Sequence, residues 1–331
     1  MALYLSQTDL DALFDGALVT AADCVAAVAA SFREQGEQSV GVLPRQILFE
    51  DPEQDQPASR ALKLSAAYMR GSRVMGASVY AVHYQPGSVD MWLMVFCGVT
   101  GKMLGVINSK SLSIWKTAAT AAVAAQCLAR SDARTAALIG TGSYALAQLT
   151  FLAAVTKLKA IRCFSRDVLA LRRFCEAASR RLDLPVEPAN SARAAVEGAD
   201  IVTTITTSGV PVLMGDWLSE GVHCNVMGQH APRSREVDSK AVADCRVFVD
   251  SLAQAMQEKG ELLIPIDEGT ITPEHVVGEL GAVLAGRCAG RTNASEKTMF
   301  CSGGTAFEYM GLCRMLLERA AAAGVGQRLS H

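Results

Sequence analysis

The chain has 331 residues, half of them hydrophobic, with acidic and basic residues mixed and a formal net charge of −2. That length suggests about two domains with a sizeable core. The balance shows neither a basic stretch for nucleic acid nor an acidic tail, and no apolar run, including the Ala-rich residues 117–129, is long enough to span a bilayer.

Ser6-Gln7-Thr8-Asp9 can cap a first helix, and Thr20-Ala21-Ala22-Asp23 a second running to about Phe32. Residues 43–49 read as a strand, and residues 73–84 alternate into another. Residues 91–97 and 103–107 flank a turn at 98–102 as a hairpin. This first part is an α+β region rich in antiparallel strand. From Ser113 the character changes, and an Ala-rich helix runs to about Arg130. Strands at 135–139, 160–164, 201–204, 223–227 and 247–249 then alternate with helical segments, which predicts an α/β fold with a parallel, doubly wound sheet. Residues 297–301 read as a strand leading into Ser302-Gly303-Gly304, and residues 305–323 as a final amphipathic helix.

The opening MALYLSQTDLDALFDG lacks the basic start and apolar run of a secretory signal. The ten cysteines (Cys24, Cys97, Cys127, Cys163, Cys175, Cys224, Cys245, Cys288, Cys301 and Cys313) form no Cys-x-x-Cys and no zinc spacing. They read as small buried hydrophobes in a reducing cytoplasm, and no metal site is expected.

The most informative stretch is Leu138-Ile139-Gly140-Thr141-Gly142-Ser143-Tyr144-Ala145: a buried strand, then Gly-x-Gly-x-x-Ala, then a helix. Gly140 permits the tight turn, Gly142 lets the backbone approach a pyrophosphate, and Ala145 is small enough for helix–strand packing. The helix N-terminus offers N–H groups and a positive dipole end to phosphates, so Gly140, Thr141, Gly142, Ser143, Tyr144 and Ala145 are candidate cofactor-binding residues. The next strand ends Cys163-Phe164-Ser165-Arg166-Asp167. An acid at this strand end binds a ribose 2′-hydroxyl, whereas an arginine accommodates a 2′-phosphate. Ser165 stands where the acid is usual and Arg166 follows, which favours NADP(H) over NAD(H). Asp167 either competes with this reading or caps the following helix with Ser165.

Several segments together resemble the ornithine cyclodeaminase/mu-crystallin family. Ser113-Ile114-Trp115-Lys116-Thr117-Ala118-Ala119 is similar to its Thr/Ser-x-x-Arg-Thr-Ala-Ala pattern, and is followed by the Ala-rich helix and the glycine turn. Ala199-Asp200-Ile201-Val202-Thr203-Thr204 with Pro211-Val212, Gly221 through Gly228, Glu279-Leu280-Gly281 with Gly286-Arg287, and Thr298 through Gly304 resemble further family stretches in the family's order. The resemblance implies a substrate-binding and dimerisation domain from residues 1–116 and 305–331, into which a Rossmann domain of residues 117–304 is inserted. It implies a homodimer with a small-molecule substrate. It also implies NAD(P)-dependent hydride transfer at the α-carbon of an imino or amino acid, as an imine reductase or amino-acid dehydrogenase. A cyclodeaminase releasing ammonia from ornithine or lysine, and a non-catalytic protein binding NADPH and a small ligand, are the alternatives.

The resemblance also nominates site residues. Arg45 matches a carboxylate-binding arginine, suited to the task by its bidentate fork. The second family arginine is Lys116 here, which keeps the charge and loses the fork; it contacts the carboxylate or a cofactor phosphate, or is a solvated lysine at a helix start. Thr117 either donates to the same anion or caps the helix. The family's catalytic and carboxylate-binding lysine falls on Ser78, which can hydrogen-bond without supplying charge. The family's acid/base aspartate falls on His230, and histidine suits proton transfer near neutral pH. His83 is a weaker candidate. Thr204, Thr206 and Met227 are placed along the cofactor, and Gly304 beside the substrate.

Overall fold

The computed structural model describes residues 2–49, 60–83 and 88–329. These form two compact units, one of residues 1–116 with 305–331 and one of residues 117–304. The chain opens with strand β1 (Ala2–Leu5), helices α1 (Gln7–Asp15) and α2 (Ala21–Gly36), then strands β2 (Val40–Phe49), β3 (Arg60–Met69), β4 (Val74–His83), β5 (Ser88–Cys97) and β6 (Met103–Asn108). Both expected helix starts are capping boxes. Ser6 and Thr20 each accept a bond from the backbone N–H three residues on, and Asp9 and Asp23 return it. The strand expected over residues 73–84 is β4; Tyr84 lies outside the described residues.

Helix α3 (Lys110–Leu128) begins earlier than the sequence suggests. Ser111, Leu112 and Ser113 continue the helical run toward its N-terminus, so Thr117 lies in mid-helix. It does not cap the helix, which corrects that expected role.

The second unit continues with β7 (Thr135–Ile139), α4 (Ala145–Val155), β8 (Ala160–Phe164), α5 (Val168–Leu182), β9 (Val186–Pro188), α6 (Ala192–Val196) and β10 (Ile201–Thr204). It is completed by β11 (His223–Val226), α7 (Ser239–Ala243), β12 (Arg246–Val249), α8 (Leu252–Glu258), α9 (Gly260–Asp267), β13 (Val276–Glu279), α10 (Leu280–Leu284) and β14 (Thr298–Cys301). Its eight strands run in the order β13-β12-β14-β11-β10-β7-β8-β9, and every pairing is parallel. Strands buried on both faces read as continuous apolar runs, as in Thr135-Ala-Ala-Leu-Ile139. Ala137, Ile139, Val202, Cys224 and Val226 point into one core, with α6, α7, α8 and α9 residues. Ala136, Leu138, Ile161, Cys163 and Ile201 point into the other, with α4 and α5 residues. The sheet is therefore doubly wound, as the alternation predicts.

The chain closes with α11 (Ala306–Ala323) and β15 (Gln327–Leu329) in the first unit. The sheet there runs β15-β1-β6-β5-β4-β3-β2, all antiparallel except β1 with β6. Helix α11 crosses one face. A Cβ on Gly76 of β4 would stand 2.9 Å from the Met310 sulfur, and one on Gly311 would stand 2.4 Å from Ser31 Oγ of α2. These glycines let strand, helix and helix approach closely, and Phe32 and Phe307 meet edge-on at 5.1 Å between α2 and α11.

Candidate active site

In the second unit, the expected cofactor residues collect at the carboxyl ends of the parallel strands. β8 and β9 lie on one side of β7, and β10 returns to the other side, so strand order reverses between β7 and β10. Ligands of open α/β sheets bind at such a switch point. Gly140 follows β7 with φ +105°, a conformation that side chains resist. Its N–H donates to the Phe164 carbonyl at 2.9 Å, and a Cβ there would stand 2.5 Å from the Ile205 carbonyl oxygen. Gly142 is different. It is exposed, has no left-handed φ, and a Cβ there would meet no atom within 4 Å. Glycine at 140 is thus explained by the protein itself, whereas glycine at 142 leaves an open cradle.

Ser143 is exposed, Thr141 and Tyr144 are half-buried, and Ala145 is buried. Helix α4 starts without a side-chain cap; the Ala145 N–H donates to the Gly142 carbonyl at 3.0 Å, and the remaining N–H groups of the first turn suit a phosphate. After β8, Ser165 is half-buried and Arg166 exposed. Asp167 is the N-cap of α5, accepting from Ala170 N at 2.9 Å through Oδ1. The open space at Gly142 and the uncapped helix fit the pyrophosphate of a dinucleotide cofactor.

Thr204, Thr206 and Met227 are placed by another group. Glu236, fully buried, accepts from Thr204 Oγ1 at 2.9 Å, Thr206 N at 2.6 Å and Gly228 N at 2.7 Å. Burial pushes its carboxyl above the usual range, bonds from Thr206 pull it back, and Glu261 raises it further. The Thr204 hydroxyl is therefore committed inward. Met227 is buried too, its N–H donating to the Thr204 carbonyl at 3.0 Å. Thr206 is half-buried and His230 exposed.

After β12 and β14, Asp250 accepts from Ser302 Oγ at 3.0 Å and Gly304 N at 2.5 Å. Gln254 Nε2 donates to the Gly303 and Gly304 carbonyls. Gly304, at φ +73°, is thus fixed by two buried side chains. At the opposite, amino ends of the strands, Asp200 accepts from Arg134 N, Thr135 N and Arg130 Nη2. Burial opposes its charge, but these bonds hold its carboxyl below the ordinary value, and its role is to tie β7 to β10.

In the first unit, Arg45 and Ser78 fall on one rung of the sheet. The β2–β3 register slips between Leu43 and Gln46, so Pro44 and Arg45 form a bulge opposite Ser65. Ser65 pairs with Ser78, and their buried hydroxyls are 2.8 Å apart. Lys63 shares the face of Ser65, two residues along β3. Lys116 is not the solvated lysine of a helix start. It is buried inside α3, with Nζ 3.3 Å from Glu308 Oε2 and 4.8 Å from the centre of the Tyr309 ring. Glu308 in turn accepts from Thr305 N and Oγ1. His83 ends β4, in register with Arg60 and Ser88.

Sequence reasoning singled out none of Ser65, Glu236, Asp250, Lys259, Glu261 and Glu308. The capping spacing Thr305-x-x-Glu308 could have flagged the last. The others carry no local signal, because their partners come from other strands and loops.

The ornithine cyclodeaminase/mu-crystallin family model matches residues 15–324. The chain is 33% identical over 231 residues to a Δ1-pyrroline-2-carboxylate reductase of Bacillus cereus, covering 70% of this chain and 71% of the relative. It is 30% identical over 269 residues to an alanine dehydrogenase of Archaeoglobus fulgidus, covering 78% and 81%. Its fold matches that of the Thermococcus litoralis Δ1-pyrroline-2-carboxylate reductase, solved with NADH and L-proline, with a TM-score of 0.90, 28% identity and 99% and 100% coverage. By sequence match and by fold, the chain belongs to the ornithine cyclodeaminase/mu-crystallin family.

Proposed function

We propose that this chain is an NAD(P)-dependent oxidoreductase that transfers hydride at the α-carbon of a small imino or amino acid, as an imine reductase or amino-acid dehydrogenase. The observation that carries the reading is the open cradle at Gly142, between an uncapped helix and the switch point of a parallel sheet. Relatives that act as a pyrroline-carboxylate reductase and an alanine dehydrogenase support the substrate class. On this reading residues 117–304 bind the dinucleotide, and residues 1–116 with 305–331 bind the substrate acid. The withdrawal of Asp167 to cap α5, beside an exposed Arg166, supports NADP(H) over NAD(H). The ten cysteines, none in a disulfide, suit a reducing cytoplasm.

A nicotinamide group supplies the hydride when bound. Arg45 holds the substrate carboxylate through its fork. Ser78, already sharing a bond with Ser65, adds a neutral contact. His230 gives a proton to the imine nitrogen in reduction and takes it back in the reverse direction, keeping charge balanced as the α-carbon gains or loses hydride.

One face of the first unit's sheet supports a homodimer. Leu62, Leu64, Ala66 and Tyr68 of β3 stand in register with Ala81, Val79, Ala77 and Met75 of β4, and these with Asp90, Trp92, Met94 and Phe96 of β5. Leu62, Tyr68 and Trp92 are exposed on this largely apolar surface, opposite the face that α11 covers. A second copy of the chain is its proposed occupant.

The Lys116–Glu308 pair favours one second reading. It neutralises a cation the substrate would otherwise use, which suits a protein that binds NADPH and a small ligand without turnover. The deciding experiment follows cofactor absorbance with linear and cyclic α-imino acids, and with keto acids plus ammonia or methylamine. Ammonia release from ornithine and lysine is assayed alongside. NADPH oxidation with an imine establishes the reductase. Ammonia release without net cofactor change establishes a cyclodeaminase, and NADPH binding with no turnover establishes the ligand-binding protein.

A further inference from the structure

Three fully buried ionisable side chains of the second unit, Glu236, Lys259 and Glu261, have no part in the chemistry above. They form one connected network. Glu236 grips the loop after β10 through Thr204 and Thr206, and the loop after β11 through Gly228 N. Its own N–H donates to Glu261 Oε1 at 3.2 Å. Glu261 Oε2 lies 3.2 Å from Lys259 Nζ, an ion pair by distance, and Lys259 Nζ donates to the Gln229 carbonyl at 2.5 Å. Gln229 immediately precedes His230.

Stability is a poor reason for this arrangement. Burying charges costs several kcal/mol each, and well-packed apolar replacements of buried ion pairs are often neutral or stabilising. The surrounding backbone is also fitted to the network. A Cβ on Gly228 would stand 2.4 Å from the Thr206 carbonyl oxygen and 2.5 Å from Glu236 Oε1. A Cβ on Gly260, beside Lys259, would stand 2.1 Å from the Ser234 carbonyl oxygen of the loop that carries His230. The chain thus keeps glycine where the loops press together. The carboxylate has a specific chemical advantage. Donors reach both of its oxygens, so an amide of the same shape would turn its own NH2 toward Thr206 N–H or Gly228 N–H.

We infer that Glu236, Glu261 and Lys259 are positioning residues: Glu236 locks the loop after β10 to Gly228 in the shape that receives the dinucleotide, and Lys259, through the Gln229 carbonyl, fixes the backbone that carries His230. The inference rests on the cofactor reading above. Glu236 does not touch the reacting atoms; it acts through Thr206 and Gly228.

The test uses the full chain with Glu236→Gln, Glu236→Asp and Lys259→Met. It measures NADPH affinity by calorimetry, the thermal midpoint, and hydrogen exchange of the segments 202–210 and 226–232. Glu236→Gln is expected to weaken NADPH about tenfold or more and to speed exchange in both segments. Glu236→Asp, with two acceptor oxygens retained, recovers part of the affinity. Lys259→Met is expected to speed exchange only in 226–232, with NADPH affinity held within about twofold. Unchanged NADPH affinity in a folded Glu236→Gln protein overturns the inference. So does exchange that rises uniformly across the unit in step with a lower thermal midpoint. If the unsubstituted protein does not bind NADPH, the cofactor reading fails instead, and the exchange pattern still decides whether the network clamps the two loops.

Discussion

A single methyl group on Gly142 separates what the fold needs from what the ligand needs. In Gly142→Ala the new Cβ meets no protein atom within 4 Å, and the backbone is outside the left-handed region. The free protein should therefore be unharmed, and restricting the unfolded chain should stabilise it by about 0.4–1 kcal/mol. The bound state differs. The methyl fills the space through which the backbone would approach a pyrophosphate, and overpacking of this kind costs about 1–3 kcal/mol. That converts to a loss of NADPH affinity of roughly five- to 150-fold. Gly140→Ala is the control. There the residue sits at φ +105° with the Ile205 carbonyl oxygen 2.5 Å away, so the fold itself suffers, by about 1–3 kcal/mol from backbone strain alone. Calorimetric titration with NADPH and urea unfolding of the free protein read the two effects separately. A Gly142→Ala protein that binds NADPH with unchanged affinity would refute the placement of the pyrophosphate at this turn.

Three further outcomes are expected. His223 is fully buried between Thr298 Oγ1 and Asn225 Oδ1, and burial lowers its pKa from 6.5 to about 3. The unfolded chain takes up this proton first, so the contribution is complete above pH 6.5 and falls as pH drops toward 3, by about 1.4 kcal/mol per unit. Urea unfolding at pH 7 and pH 5 should show about 2 kcal/mol more loss in the native protein than in His223→Gln; equal losses would contradict this. Arg166→Ala should weaken NADPH about tenfold and leave NADH unchanged, so equal effects on both cofactors would remove the 2′-phosphate role. Ala77→Glu, in register with Ala66 and Met94 on the exposed sheet face, should give a folded monomer in sedimentation; a persisting dimer would place the interface elsewhere.

The sequence by itself determined the elements whose causes are local. The capping boxes at Ser6 and Thr20 start helices because each cap and its return bond lie three residues apart. The apolar runs 135–139 and 201–204 became central parallel strands because only a strand covered on both faces buries every side chain. The glycine turn was legible because positive φ and close approach are properties of one residue and its neighbours. Strand β3, Arg-Ala-Leu-Lys-Leu-Ser-Ala-Ala-Tyr-Met, was not legible, because strict alternation covers only Leu62-Lys63-Leu64-Ser65 before it gives way to Ala66-Ala67. The site's electrostatics belonged to the tertiary structure alone. Lys116 resembles an exposed lysine until Glu308 meets it inside the first unit, and Glu236 resembles a loop acid until Thr204, Thr206, Gly228 and Glu261 surround it. A buried charge takes its state from the few groups within bonding distance, and a chain that folds back on itself chooses those groups without regard to sequence separation.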